Sequence, residues 1–297
     1  MKVALYGRQI NSRHLVFIQR LLDKMCVNQN EVYLFKPFYN QLLQEIPESQ
    51  LPTSNSIKTF DSAADINDQF DFMFSLGGDG TLLDTVTLVG NQNIPIVGIN
   101  IGRLGFLANI GKEDLDDCVE ALSTGSYISD KRSLIELQSN EPIFGNTPFA
   151  LNDFTIHKRD SSPMIVIHTF INGELLNSYW ADGLIVSTPT GSTGYNLSCG
   201  GPVVLPQSNN LVITPIAPHH LNVRSIVVSD ESVISFEVEG RGNEFICTLD
   251  ARSQVLKMGT QLAVKRANHS ISLVRLSDNN FLNTLTQKLN WGKDARN

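Results

Sequence analysis

The sequence predicts an α/β N-terminal domain followed by a β-rich, sandwich-like C-terminal domain, with a C-terminal helix returning to the first. Three observations carry this expectation. Strand-like and helix-like runs alternate up to Ser126, the pattern of a parallel α/β unit. Beyond it helical periodicity fades, and short β-rich runs follow one another closely. The tail "NNFLNTLTQKLNW" then returns to helical spacing. The expected domains are 1–126 together with 277–297, and 127–276.

In chain order, "KVALYG" reads as a short apolar strand, "HLVFIQRLLDKM" as a helix and "EVYLFK" as a second strand. "FDFMFSL" is a third strand, and "LLDTVTLV" after the glycines is helical. "IPIVGIN" is a further strand, closed by the loop-like "IGRLGFLANI". "EDLDDCVEALSTG" is an amphipathic helix with Gly125 at its C-cap. The second domain offers "SLIELQS", "FTIHK", "MIVIHTFI", "GLIVSTP", "SIVVS", "SVISFEVE", "FICTLD" and "LAVKRA" as strands. Many short strands at close spacing predict a sandwich. Asn172-Gly173 between two such runs is a hairpin signal, and "EGRGNE" (Glu239–Glu244) marks another turn. In the tail, Phe281, Leu282, Leu285 and Leu289 line one helical face, which must cover something. The expectation is that it covers the α/β domain.

Composition narrows the function classes. Hydrophobic residues are 41% and charged residues 18% of the 297, which fits a soluble globular chain with a sizeable core. The net charge of −7 and the lack of a basic run argue against a nucleic-acid or anionic-membrane partner. Cys26, Cys118, Cys199 and Cys247 form no CxxC pair and read as reduced thiols of a cytoplasmic protein. "MKVALYG" is too short for a signal-peptide core, and no apolar run reaches membrane-spanning length. His14, His168 and His269 show no metal-ligand spacing, and no nucleophile elbow accompanies any serine.

Two segments carry chemistry. The first is "FDFMFSLGGDGTLLDT", Phe70–Thr85: a buried strand, a glycine loop and a helix start. Glycines 77, 78 and 80 let the backbone turn tightly and approach a ligand, and free amides at a helix N-terminus favour anions. The loop has no lysine and is not a P-loop. Instead Asp79 occupies its centre. One reading is a plain strand-to-helix turn with Asp79 as a cap. The others give the carboxylate a job beside phosphate. It binds Mg²⁺, or it accepts a proton from a hydroxyl attacking the phosphate. An ordinary carboxylate, with pKa about 3.9, is a weak base, so it would take that proton late and chiefly orient the hydroxyl. The second segment is "ADGLIVSTPTGSTGYNLSCGGP", Ala181–Pro202. A turn and a capped helix explain its composition. Its density of hydroxyls beside Asp182 and Tyr195 also suits a polyhydroxylated, phosphate-bearing ligand. An aspartate holds ribose hydroxyls in familiar sites, and Tyr195 reads as a base-stacking residue, a ribose partner or ordinary core.

Together Gly77–Thr81, "GGDGT", and Ser187–Pro202, "STPTGSTGYNLSCGGP", resemble the NAD kinase family. "GINIGRLGFL" (Gly98–Leu107), "ALNDFTI" (Ala150–Ile156) and "TPIAPH" (Thr214–His219) follow the family order. GGDGT alone also occurs in diacylglycerol, sphingosine and phosphofructokinase-type kinases; the second segment is far more specific. The resemblance implies an α/β plus β-rich fold, usually in a homodimer or homotetramer. It implies phosphoryl transfer from ATP, or polyphosphate in some members, to the 2′-hydroxyl of the adenosine ribose of NAD, with Mg²⁺ on the donor. Carried over by position, Asp79 is the proton acceptor and Gly80 lies against NAD. Asn152 and Asp153 match an Asn-Glu pair that reaches the nicotinamide nucleotide, Asp here being one methylene shorter. Asp182 holds the substrate. Thr193, Gly194, Tyr195, Asn196, Leu197 and Ser198 wrap its adenosine half, Gly194 replacing a common alanine. Ala217 lines the same pocket. Arg252 stands where relatives often carry Gln, and reaches a phosphate or solvent. Gly77, Gly78, Thr81, Thr190, Gly191 and Ser192 cradle the donor phosphates. Asp84 is sometimes near the substrate in relatives but reads here as a helix-surface charge, and His219 reads as a structural hydrogen-bonder. His157, Lys158, Arg159 and Asp160 read as a solvated strand end, with contact of one cation to a pyrophosphate as the alternative. No resident protein metal site is expected.

Overall fold

The computed structural model describes residues 1–26, 30–52, 57–102, 105–159, 163–277 and 280–290. Arg103 and Leu104 of the "GINIGRLGFL" segment, Asp160, and residues 291–297 of the tail lie outside them. The chain divides into two units, Met1–Lys131 with Ile271–Asn297, and Arg132–Ser270.

The first unit runs β1 (Lys2–Gly7), α1 (Leu15–Cys26), β2 (Glu31–Phe35), α2 (Lys36–Glu45), β3 (Ile57–Phe60), β4 (Phe72–Gly77), α3 (Asp79–Val89), β5 (Ile96–Asn100) and α4 (Leu115–Thr124). Its strands pair in parallel in the order β5-β4-β1-β2-β3. Phe72, Met73, Phe74 and Leu76 of β4 are all buried, as expected of a parallel strand covered on both faces. Ile18, Leu21 and Leu22 of α1, Phe38 and Leu42 of α2, and Leu115 and Cys118 of α4 pack on one apolar cluster with Val3, Leu5 and Phe74. α4 ends on Gly125 at φ 73°. The sequence reading passed over α2 and β3. Phe35 ends β2 and directly precedes α2, so no turn punctuates the change. β3 is a short edge strand with Lys58 and Thr59 exposed.

The second unit begins within β6 (Ile128–Ser139) and continues through β7 (Phe149–Ala150), β8 (Asp153–Lys158), β9 (Ile165–Ile171), β10 (Glu174–Ala181), β11 (Gly183–Ser187), a 3₁₀ turn (Thr190–Thr193) and α5 (Tyr195–Ser198). β12 (Asn210–Ile216), β13 (Ile226–Ser229), β14 (Ile234–Glu239), β15 (Glu244–Leu249), β16 (Arg252–Lys257) and β17 (Leu262–Arg275) follow. One antiparallel sheet runs β10-β9-β14-β17, the other β13-β12-β11-β8-β15-β16. Their apolar faces share one core, in which Phe154 and Phe236 stack with ring centroids 5.4 Å apart. Asn172 (φ 52°) and Gly173 (φ 87°) make the β9–β10 hairpin turn, both in the left-handed region that such turns require. "EGRGNE" carries the chain from β14 in one sheet to β15 in the other, so it is a crossover.

The last element, α6 (Phe281–Leu289), belongs to the first unit. The Asn280 side chain caps it by accepting from the Asn283 N–H at 2.8 Å. Leu285 and Thr284 are buried, and the Phe281 ring meets Phe106 at 6.4 Å. Leu282, expected on the covered face, is 59% exposed. One residue on from Phe281 is a turn of roughly 100° around a 3.6-residue helix, so both cannot centre the same face.

Candidate functional site

In the first unit the strand order places β1 between β2 and β4, which the chain reaches by leaving β1 in opposite directions. Open parallel sheets bind ligands beyond the carboxyl ends of the strands at this switch point. Gly7 of β1 pairs with Leu76 of β4 there. The next residues outward are Arg8 on one strand and the Gly77–Thr81 loop on the other.

Each residue of that loop has a physical assignment. A methyl on Gly77 would stand 2.2 Å from Thr81 Oγ1, so Gly77 is glycine because the buried Thr81 side chain folds over it. Gly78 and Gly80 are exposed, and a methyl on Gly78 would meet nothing within 4 Å. Asp79 opens α3. Its Oδ2 accepts from the Phe106 N–H at 2.9 Å and its Oδ1 from the Leu107 and Ala108 N–H groups at 3.0 Å each. Three successive amides thus fix the orientation of a half-exposed carboxylate. Gly105 makes this approach achievable: a Cβ there would lie 1.9 Å from Asp79 Oδ1.

Asp84 is not the lone helix-surface charge the sequence implied. One turn beyond Gly80 it accepts from Arg8 Nε, from Arg8 Nη2 at 2.7 Å and from the Tyr6 hydroxyl at 2.9 Å. Burial, then the neighbouring carboxylate, push the Tyr6 phenol up to about 12, so it stays protonated and donating. Neither Tyr6 nor Arg8 stood out in the sequence; a cation directly after the first strand was the available signal.

In the second unit the Asn152-Asp153 turn and the Thr188–Ser198 segment are docked on each other. The Thr188 N–H donates to the Asn152 carbonyl at 2.8 Å, and the Thr188 hydroxyl to the Leu151 carbonyl at 2.5 Å. A methyl on Gly191 would lie 2.1 Å from the Asn152 carbonyl oxygen, so only glycine permits this seat. Beneath, Asp250 accepts from the amides of Leu151, Asn152 and Asp153 at 2.9, 2.7 and 3.2 Å. Asp250 itself turns at φ 52° between β15 and β16. Burial pushes its carboxyl up, and the three amides oppose that. Asp153 is buried beside it, with one hydroxyl, Thr155 at 3.3 Å, for company. Burial, then the charge of Asp250, push Asp153 up to about 7. With three amides on Asp250, the pair holds its charge there and its proton on Asp153.

The Thr190–Ser198 segment separates into two sets. Thr190, Gly191, Ser192 and Asn196 are buried. The Asn196 amide donates to the carbonyls of Ser192 and Pro202 and accepts from the Thr214 hydroxyl at 2.6 Å. The Ser192 hydroxyl is spent on the carbonyls of Pro189 and Val204. Thr193, Gly194, Tyr195, Leu197 and Ser198 form the accessible rim. The Tyr195 ring stacks on His157 with centroids 5.6 Å apart. Asp182 pairs with Lys158 at 2.8 Å, and its N–H donates to the Ile216 carbonyl, next to Ala217. Ala217 is exposed at φ 44°, strained for a residue with a Cβ. Among the described residues the buried Asn152 Oδ1 has no hydrogen-bond partner. Arg252 points at neither solvent nor this rim. Its guanidinium donates to the Thr147 carbonyl at 2.6 Å and to that of Phe149, and lies over the Phe144 ring.

Known proteins bear on this arrangement. Residues 5–127 match the model of the ATP-NAD kinase N-terminal domain, and residues 151–276 that of the ATP-NAD kinase C-terminal domain. The chain is 48% identical over 297 residues to an NAD kinase of Cytophaga hutchinsonii, covering 100% of both chains. It is 40% identical over 301 residues to one of Christiangramia forsetii, again covering 100% of both. Among solved structures, it is similar to yeast NADH kinase complexed with NADH (TM-score 0.87, 24% identity, 99% of this chain and 88% of that one). It is also similar to an NAD kinase from Archaeoglobus fulgidus in complex with ATP (TM-score 0.75, 24% identity, 98% and 99%).

Proposed function

The chain belongs to the NAD kinase family, and we propose that it transfers the terminal phosphoryl group of ATP to the 2′-hydroxyl of the adenosine ribose of NAD, giving NADP. The observation that carries the mechanism is Asp79: a half-exposed carboxylate, aimed by three amides, beside two glycines that leave the backbone bare. Phosphoryl transfer asks a protein for positioning and charge neutralisation more than for covalent chemistry. Asp79 orients the attacking hydroxyl and accepts its proton late in the transfer. The open backbone at Gly78 and Gly80 lets donor phosphate and ribose come close. A divalent ion enters on the triphosphate, as Mg²⁺ commonly does, and is part of the donor; polyphosphate is the alternative donor.

The second unit supplies substrate contacts in this reading. The unpartnered Asn152 Oδ1 is an acceptor awaiting a donor from NAD. Asp153, its carboxyl raised to about 7, offers an O–H in its protonated form. Asp182 accepts from a ribose hydroxyl while Lys158 offsets its charge. Tyr195, backed by His157, presents a flat face to a base. Thr193, Gly194, Leu197, Ser198 and Ala217 complete the wall. Ser192, Thr190, Thr81 and Asn196 act by shaping the backbone, since their side chains are packed or hydrogen-bonded internally, and Gly191 does so by letting Asn152 seat against it.

The same reading places the protein in a reducing cytoplasm, with four free cysteines, and in a homodimer or homotetramer. Among the described residues no helix is long and apolar enough to cross a membrane. A coupled assay for NADP formation, run with ATP-Mg²⁺, with polyphosphate, and with a lipid alcohol in place of NAD, tests the activity. NADP from ATP and NAD supports it. Phosphorylation of the lipid alcohol with no NADP would overturn it.

A further inference from the structure

We propose that Arg8 is the cation of the donor-phosphate site, binding the triphosphate of ATP through Nη1 while Asp84 and Tyr6 hold it in position. The proposal rests on the kinase reading above and addresses a gap in it, because the Gly77–Thr81 loop contains no lysine or arginine to neutralise a phosphate.

Arg8 follows β1 directly, and β1 is hydrogen-bonded to β4, which ends in the glycine loop. Both therefore lie at the carboxyl edge of the sheet where its order reverses, the place such sheets bind ligands. A guanidinium has five N–H donors in a fixed plane. Asp84 takes Nε and Nη2 in a two-point pair. That grip leaves Nη1 directed at the loop: a methyl built on Gly80 would stand 3.5 Å from it. The Tyr6 hydroxyl, kept protonated, occupies Asp84 Oδ2 from the other side and restricts how the carboxylate can turn.

The pair is poorly explained as a stabilising contact. The Arg8 and Asp84 side chains are 47% and 30% exposed, and exposed ion pairs contribute little to stability. A pair that adds little to folding yet holds the free Nη1 of a guanidinium toward bare glycine backbone is what an oriented, charge-assisted contact to phosphate calls for.

The test is direct titration of the full-length protein, without NAD, with ATP-Mg²⁺ and separately with inorganic tripolyphosphate, following heat of binding. Arg8→Ala should weaken both ligands more than tenfold, with an unchanged melting temperature and unchanged NAD affinity. Arg8→Lys should restore only part, since an ammonium cannot grip Asp84 and face the loop at once. Tyr6→Phe should weaken both ligands by a smaller factor. Loss of ATP binding with tripolyphosphate binding intact would overturn the phosphate assignment. So would wild-type affinity for both in folded Arg8→Ala, or a wild-type chain that binds neither. NADP formation by the wild type, assayed in parallel, decides the kinase reading separately from Arg8.

Discussion

Two carboxylates in this molecule accept three successive backbone amides each, and they do opposite work. In the first unit Asp79 receives the N–H groups of Phe106, Leu107 and Ala108. In the second Asp250 receives those of Leu151, Asn152 and Asp153. Asp79 is half-exposed and begins a helix beside open glycines, so there the loop serves the carboxylate. The Asp250 carboxylate is turned inward beneath the Asn152-Asp153 turn, which we propose faces the substrate, so there the carboxylate serves the loop. One motif of charge-assisted hydrogen bonds thus aims an acid in one place and a pair of side chains, Asn152 and Asp153, in the other. The comparison can be broken at either end.

The largest effect belongs to the acid itself. Asp79→Asn keeps the size of the side chain and removes the proposed proton acceptor, and NADP formation should fall by about 10³-fold; its N–H₂ also meets a backbone donor, so a lower melting temperature accompanies the loss, with the fold kept. A steady-state assay showing near wild-type turnover would end the mechanism. Next comes the loop that aims it. Gly105→Ala forces a methyl into Asp79 Oδ1, and turnover should fall by roughly 10- to 100-fold through misorientation, chiefly in kcat. A variant slowed only through KM would mean that the clamp does not position Asp79.

The Asp250 end should show up in stability. Asp250→Asn keeps a side chain that tolerates the left-handed turn but sets an N–H₂ against amide donors. Unsatisfied buried donors cost about 1–3 kcal/mol, readable as a lower midpoint in urea. An unchanged midpoint would deny the clamp its structural role. The smallest effect is in pH. Because the Asp153 carboxyl is raised to about 7 in the folded protein, the native chain binds a proton that the unfolded chain has released between roughly pH 4 and 7. Its contribution to stability therefore falls as pH rises through that window and levels off above it. Urea unfolding at pH 5 and pH 8 should show a drop that is smaller in Asp153→Asn; equal drops in both would contradict the assignment.

How far the sequence reaches follows the same contrast. β4 and β5 are legible as continuous apolar runs, and the β9–β10 hairpin as Asn172-Gly173, because those signals are local. α2 follows β2 without a turn and buries only Phe38 and Leu42, too little for a clear helical period. β16 buries only Leu256, so its alternation is faint. Asp79 stands out by lying among glycines, and the rim Thr193–Ser198 by its hydroxyls and its family likeness. Asp250 and Gly105 do not, because each acts on groups distant in sequence, Asp250 on the amides of 151–153 and Gly105 on the Asp79 carboxylate. Arg252 stands out by its place in the family resemblance, where relatives often carry Gln, yet its partners are carbonyls of the 147–149 segment. Asp84 reads as solvated because its partners, Tyr6 in β1 and Arg8 just after it, lie 78 and 76 residues earlier.

The most direct test is one pair of titrations: NAD into Asp79→Asn and into Asp250→Asn, by calorimetry under conditions where both are folded. If one clamp aims the acid and the other aims the substrate contacts, NAD affinity is kept in Asp79→Asn and weakened several-fold in Asp250→Asn. Affinity lost in the first and kept in the second would contradict the account.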